Sequence, residues 1–371
     1  MTDRLLETFL DLVRIDSPTR SEADVAAYCA RVLTEIGCEV RFDDTRGITG
    51  SNTGNLIATL PARDSARTLV LSAHMDCVEP CTGVEPVVSG DGIVTSAGET
   101  VLGADDKAGI AAILEAVRRM TEEDRPHPAV LVILTVAEEN GLLGAKALDP
   151  GVASGDMCLV LDADGVPGGI VVGAPTHYTF VATFAGTASH AGVAPEEGRS
   201  AIAMASRAIC SMKLGRLDES TTANIGTISG GSATNVVPPK TTVTGECRSL
   251  DRSRVEQVRS AMDQVMREAA RSGDGGVDIA WTREYEGFVT PQDSPALAIV
   301  AAACRDVDLK PSTFTTGGGS DGNVFAAHGV PTLVLSCGMR AVHSTAERIA
   351  VSDLHALADL VNAVATRLDG E

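Results

Sequence analysis

No stretch of this chain approaches the ~18 uninterrupted apolar residues that a membrane span requires, although 44% of its residues are hydrophobic and 22% charged, an ordinary globular balance. The start, Met1-Thr2-Asp3-Arg4-Leu5-Leu6-Glu7, puts acids where the apolar core of a secretory signal would lie, so export is not expected. Cys-x-x-Cys pairs are missing as well. The nine cysteines (Cys29, Cys38, Cys77, Cys81, Cys158, Cys210, Cys247, Cys304 and Cys337) are odd in number and scattered, which reads as reduced thiols in a cytoplasmic protein. Internal repeats and long low-complexity segments are absent. The sequence also lacks any Lys/Arg cluster, and its 30 basic against 50 acidic residues give a net charge of -20 that repels phosphate backbones. Nucleic acid and membrane are therefore excluded as partners. The acidic surplus is either a solubilising surface or a set of carboxylates gathered around cations, and only the motifs separate the two.

At 371 residues the chain exceeds one ordinary core, and two domains are the natural reading. Leu5, Leu6, Phe9, Leu12 and Val13 recur at helical spacing before a turn at Ser17-Pro18, and a second amphipathic helix is expected from Glu22 to Ile36. After a Gly-rich polar connection come short runs that are apolar on both faces: Thr68 to Ser72, Ala129 to Ala137, Met157 to Leu161 and, much later, Thr332 to Ser336. A helix from Lys107 to Met120 lies between the first two. Strand, helix, strand predicts an α/β layer, a mixed and mostly parallel sheet flanked by helices. Between about residues 176 and 288 the pattern changes. Strands at Tyr178 to Phe184, Asn224 to Ser229 and Thr241 to Arg248 alternate with helices near Ser200 to Met212 and Arg252 to Ala270, as in an α+β domain inserted into the first. The first domain then comprises residues 1–175 and 289–371 and closes with a helix from Ser352 to Leu368.

Short motifs at the ends of these runs carry candidate chemistry. In His74-Met75-Asp76, an extended chain turns residues 74 and 76 to the same side, and a carboxylate near a histidine can orient its ring as a ligand. By itself the pair is equally a structural hydrogen bond. Asp105 and Asp106, in Gly103-Ala104-Asp105-Asp106-Lys107-Ala108-Gly109, open the expected helix, where acids cap it and favour its dipole. Capping leaves unexplained why both sit in a loop of Gly and Ala, where backbone must pass close to something. Glu138 and Glu139 follow the most apolar strand; two adjacent acids ionise cheaply only beside positive charge, and a solvated turn is the plain alternative. Asp162, in Leu161-Asp162-Ala163-Asp164-Gly165, ends another buried strand, and His343 lies in the polar loop Val342-His343-Ser344-Thr345-Ala346-Glu347 after the last one. Each alone is unremarkable. Together they occupy strand ends and helix starts, which a parallel sheet brings to one edge, where open α/β sheets bind ligands. Two histidines with several carboxylates form a mixed N/O set suited to Zn²⁺, Mn²⁺ or Co²⁺ and too rich in nitrogen for Ca²⁺ or Mg²⁺.

This set, in this order and over nearly the whole chain, resembles the M20 family of metallopeptidases and most of all its peptidase T-like branch. The resemblance implies an α/β domain of the zinc-exopeptidase type, an inserted ferredoxin-like lid over residues 176–288, and two divalent metal ions, Zn²⁺ foremost. It further implies that His74 and Asp162 bind one ion, Glu139 and His343 the other, and that Asp105 bridges them. Asp76 becomes the partner that orients His74, Glu138 the general base for a metal-activated water that attacks the carbonyl, and the Asp105–Asp106 peptide is expected to be cis.

The inserted segment extends the likeness. His190, in Gly186-Thr187-Ala188-Ser189-His190-Ala191-Gly192, resembles the lid histidine that stabilises an oxyanion, in some arrangements from the partner subunit of a homodimer. Asn235, in Gly230-Gly231-Ser232-Ala233-Thr234-Asn235, resembles the lid asparagine that touches substrate. Arg248 resembles the lid arginine, whose guanidinium can pair bidentately with a substrate carboxylate. Without the likeness, His190 and Arg248 read as surface residues. Gly319 and Ser320 are expected at the substrate within the run Gly317-Gly318-Gly319-Ser320-Asp321-Gly322-Asn323. There the chain departs from its tripeptide-cleaving relatives, whose loop opens with an arginine where this one has Gly317. Half of the carboxylate clamp lacks its donor, which tells against strict tripeptide specificity and leaves the metal set intact. The expected activity is release of N-terminal residues from short peptides. A deacylase or carboxypeptidase acting on N-acyl amino acids or dipeptides would use the same centre. A non-catalytic metal-dependent binding protein would keep the fold but have no need of Glu138.

Overall fold

The computed structural model describes residues 3–123 and 125–369. Cα packing divides the chain into two compact units, one of Met1–Val172, Thr290–Thr315 and Ser320–Glu371, the other of Gly173–Val289 with Thr316–Gly319. Among the described residues no helix is long and apolar enough to cross a membrane.

The larger unit is built on a sheet whose central strands are parallel. Thr68–His74 runs between Ala129–Thr135 and Met157–Ala163, and the latter pairs in turn with Thr332–Ser336. These are the doubly apolar runs of the sequence, and they are almost wholly buried, as strands covered on both faces must be. Antiparallel strands extend the sheet on either side: Leu56–Leu60 beside Ala129–Thr135, with Glu39–Phe42 beyond it, and Gly169–Ala174 beside Thr332–Ser336. The helix Ala104–Glu122 packs on the central strands and is flanked by Arg4–Arg14 and Val351–Asp369. Phe9, Leu33, Leu71, Ile113, Val117, Leu159, Leu335 and Val361 join these layers in one core.

Three parallel strands therefore end together at His74, Thr135 and Ala163, with the helix that opens at Ala104 between the first two in sequence. The polar connection that follows His74 is not all loop: Pro86–Val88 and Ile93–Ser96 form a small antiparallel sheet with Arg348–Ala350, just past His343. Where the larger unit is interrupted, the Thr290 N–H donates to the Val172 carbonyl at 2.7 Å, so the two ends of the inserted stretch lie side by side.

The smaller unit is an antiparallel sheet of Gly215–Asp218, Thr221–Gly230, Lys240–Ser249, Thr176–Ala185 and Gly276–Tyr285, in that spatial order. Helices Ala201–Ser211 and Arg252–Ser272 pack on it through Phe180, Phe184, Met204, Val258, Met262 and Met266. The edge strand Gly276–Tyr285 was not foreseen. Its half-buried Val277, Ile279 and Trp281 do alternate, but the apolar Ala280 at an exposed position between them blurs the pattern.

Candidate metal centre

All five residues expected to hold metal lie in the larger unit, and it brings their donor atoms together. His74, the last residue of its strand, is 2% exposed, with Nε2 3.1 Å from Asp105 Oδ1 and 3.5 Å from Asp162 Oδ1. The second oxygen of Asp105 lies 3.2 Å from His343 Nε2, and that nitrogen is 3.0 Å from Glu139 Oε1. One carboxylate thus faces both histidines, each flanked by a further acid.

Backbone geometry delivers these side chains. Gly103 takes φ +75°, a left-handed conformation that a Cβ would oppose, and the Asp105–Asp106 peptide is cis. Ala137 takes φ +51° between the strand Ala129–Thr135 and the two glutamates. Asp106 does a different job from its neighbour: Oδ2 accepts the backbone N–H of His74 at 3.1 Å and Oδ1 that of Gly109 at 3.2 Å, clasping strand end to helix start. Its donor atoms also fall into one group with His74 and Asp162, but both oxygens are already occupied by N–H groups.

Asp76 relates to His74 in a way the sequence did not convey. His74 Nδ1 meets the Asp76 backbone carbonyl at 2.9 Å, while the nearest carboxylate oxygen is 3.6 Å away. That carboxylate instead accepts the N–H groups of Glu138 at 2.9 Å and Glu139 at 3.3 Å and the Thr19 hydroxyl at 2.8 Å. It ties the paired glutamates to the end of the His74 strand.

Other buried polar residues support the same loops and went unnoticed in the sequence. Glu22 accepts the Ala137 N–H at 3.0 Å and also takes the Ser51 hydroxyl. Asn55 accepts the Val136 N–H at 3.0 Å and donates to the Gly144 carbonyl at 2.9 Å. Asp321, in the Gly317 run, accepts the Thr135 hydroxyl at 2.5 Å. The only hint of Glu22 was its place at a helix start, and Asn55 lies within the Gly-rich polar connection before Thr68.

The electrostatics of the cluster are those of surplus negative charge in a dry place. Burial, reinforced by the charge of Asp162, pushes Asp106 and Glu138 well above the ordinary carboxyl range. Burial also raises Asp162 to about 7 and Asp321 to about 6. Asp105 goes the other way: burial would raise it, but the bonds from His343 and His74 prevail and hold it well below the usual range. His343 is raised to about 10, chiefly by hydrogen bonds to Asp105 and Glu139. For His74, burial would lower the value, but the facing carboxylates of Asp105 and Asp162, with that of Asp76 nearby, prevail and hold it well above the usual range. Imidazoles and carboxylates so placed compete for protons that divalent cations would replace, so the donor set fits metal.

His190, Asn235, Arg248 and Gly319 belong to the smaller unit. His190 and Asn235 are exposed, and their loops are paired through the backbone: Ala191 N–H donates to the Asn235 carbonyl at 2.9 Å, and Val237 N–H to that of Ser189 at 3.0 Å. Arg248 is tied down within its own unit, donating to Glu246 at 2.9 Å, to the Gly317 carbonyl at 3.2 Å and towards the Tyr285 hydroxyl at 3.4 Å. Gly319 lies so close to the Tyr285 ring that a Cβ there would collide with it. Ser320 belongs to the larger unit, where its hydroxyl caps the helix Asp321–Ala327 by accepting the Gly322 N–H at 3.2 Å.

A parallel sheet that gathers two histidines and a shared carboxylate at its strand ends defines a metal-dependent hydrolase of the exopeptidase kind. The chain belongs to peptidase family M20/M25/M40, whose family model matches residues 70–367. It is 42% identical to the uncharacterized protein YqjE of Bacillus subtilis (strain 168), over 97% of both chains. Among solved structures it resembles aminopeptidase PepT of Bacillus cereus ATCC 10987, with TM-score 0.93, 41% identity and coverage of 99% of this chain and 98% of that one. A tripeptidase of Staphylococcus aureus subsp. aureus mu50 matches with TM-score 0.95 and 37% identity, over 99% and 98% of the two chains. The peptidase T-like likeness thus extends from motifs to the whole fold, and the protein is a metallopeptidase of this family.

Proposed function

We propose that this chain is an aminopeptidase that releases N-terminal residues from short peptides with two divalent ions, Zn²⁺ foremost. His74 and Asp162 hold one ion, Glu139 and His343 the other, and Asp105 lies between. The observation that carries the reading is the placement of Asp105, one oxygen 3.1 Å from His74 and the other 3.2 Å from His343. The likeness to an aminopeptidase and a tripeptidase at 41% and 37% identity over nearly the full length supports the choice of substrate.

Bound there, a pair of cations supplies Lewis acidity, polarising a carbonyl and acidifying water. Glu138 takes the proton of the attacking water and returns it to the leaving amine. Asp76 holds Glu138 and Glu139 in place through their backbone N–H groups. His190 and Asn235 meet the substrate from the smaller unit, which serves as lid and as the surface of a homodimer, and Arg248 takes a substrate carboxylate. The nine free thiols suit a reducing, cytoplasmic setting.

The test is mass spectrometry of a pool of free peptides and N-acylated amino acids after incubation with Zn²⁺- or Mn²⁺-loaded protein, with a chelated control. Loss of single N-terminal residues, abolished by the chelator, is expected. Loss of acyl groups alone would overturn the aminopeptidase reading in favour of a deacylase, and an unchanged pool would leave a metal-binding protein without turnover.

A further inference from the structure

Glu347 is buried to 2% exposure in a polar loop, at a place where no periodicity asks for it. Its two oxygens accept two N–H groups of the same distant loop: Oε1 that of Asp105 at 2.9 Å, and Oε2 that of Gly103 at 2.7 Å. A two-pronged, charge-assisted clasp of this kind fixes both position and orientation of the segment it holds. The segment held is the one that presents Asp105. The segment that does the holding also carries His343, four residues earlier.

The contrast with His74 shows why the clasp matters. His74 belongs to a buried central strand, and its ring is braced by the Asp76 carbonyl. His343 stands on a loop with φ +60°, its side chain 52% exposed, and its Nε2 meets two acids of the centre, Asp105 and Glu139. On one side this loop is pinned by the short strand Arg348–Ala350. That strand pairs with Ile93–Ser96, whereas Glu347 bonds directly to the Asp105 loop.

We infer that Glu347 is a positioning residue that locks the His343 loop onto the Asp105 loop, so that occupancy of the Glu139–His343 ion site depends on it more than occupancy of the His74–Asp162 site does. The inference rests on the reading of Asp105 and His343 as ligands. Glu347 touches neither ion nor substrate. It sets the distance between two loops whose side chains must meet one cation. A change at Glu347 alters two ligands of the exposed site, His343 and the shared Asp105, and only one ligand of the buried site, Asp105.

The test uses Glu347→Gln and Glu347→Asp in the full chain, titrated with Zn²⁺ in a metal-buffered solution. The glutamine keeps the size but turns an amide N–H₂ against a backbone N–H; the aspartate keeps the charge but shortens the reach. The wild-type protein should bind two ions. In Glu347→Gln the step that His343→Ala also weakens should lose on the order of tenfold or more in affinity, the range expected when a residue that orients a ligand is lost. The other step should lose clearly less, and the melting temperature of the chelated protein should change little. Glu347→Asp should show the same uneven loss in smaller measure. Two steps at wild-type affinity in both variants would overturn the inference, as would equal weakening of both steps. A collapse of the chelated protein's melting temperature in both variants would reduce Glu347 to a structural tie and overturn it too. A wild-type protein that binds fewer than two ions would instead refute the two-ion reading beneath it.

Discussion

The two units treat their acids in opposite ways. In the larger, Asp106, Glu138, Asp162 and Asp321 crowd together under cover, and burial lifts all of them above the ordinary carboxyl range. In the smaller, each acid of note has a partner of its own. Glu246 is held at about 2, first by its bond from His177 and then by Arg248, and Asp263 is lowered by its bond from Arg267. Both units obey the same electrostatics, but one balances its charge internally and the other leaves a surplus that invites dications. The first region is built to bind ions, and the second to hold a shape and present a few polar tips.

The sharpest way to break this contrast is Glu138→Gln, which removes a proton acceptor without touching the ligand set. Turnover should fall by at least ~100-fold, the scale of lost general-base catalysis, while metal content measured by atomic emission stays at the wild-type level. Retained turnover would remove Glu138 from the chemistry. In the smaller unit, Arg248→Ala should act on substrate binding alone. Loss of a charge-assisted bond to a carboxylate should raise KM by ~10- to 100-fold with kcat nearly unchanged, and a substrate whose C-terminal carboxylate is amidated should show no such rise.

A third measurement compares the chelated and metal-loaded proteins across pH. Asp162, raised to about 7, and His343, raised to about 10, both bind protons more tightly in the folded chain than in the unfolded one. Groups of that kind stabilise the fold fully below their unfolded values and cease to do so as pH climbs through the folded ones. The melting temperature of the chelated protein should therefore drop between pH 5 and pH 9, and that of the loaded protein should hold steadier, because cations replace the protons. A flat profile for the chelated protein would mean the surplus charge is relieved by some other route. The smallest effect expected is that of Thr19→Val, which deletes one hydroxyl bond to Asp76. A loss of ~1 kcal/mol from the anchor of Glu138 corresponds to about a fivefold decrease in kcat, read by steady-state kinetics.

The sequence showed the central strands and the five candidate ligand positions because both leave local marks: a run of apolar residues, then an acid or histidine at or soon after its end or where a helix opens. Asp162 needed only the small correction that it lies inside its strand, Met157–Ala163, and not after it. What stayed hidden were the residues that work at a distance. Glu22 meets Ala137 across 115 positions and Glu347 meets Asp105 across 242, and neither belongs to a repeating pattern. The spacing of an extended strand turned Asp76 towards His74, and its carboxylate lies 3.6 Å from that ring, but its bonds to the Glu138 and Glu139 N–H groups from the next strand over left no local mark. The small sheet of Pro86–Val88, Ile93–Ser96 and Arg348–Ala350 is hidden for a like reason, since its strands are very short and the third joins the other two from far along the chain.

The bond between Thr290 and Val172, at 2.7 Å, has a bearing on how such a chain can be edited. Because the stretch between them leaves and re-enters at neighbouring points, a gene in which a two- or three-residue turn joined position 172 to position 290 would ask almost no rearrangement of the remaining backbone. The His74, Asp105, Glu139, Asp162 and His343 codons all lie outside the excised interval. The same junction is a natural port for exchange, where evolution or an engineer could substitute a different module and keep the rest of the larger unit.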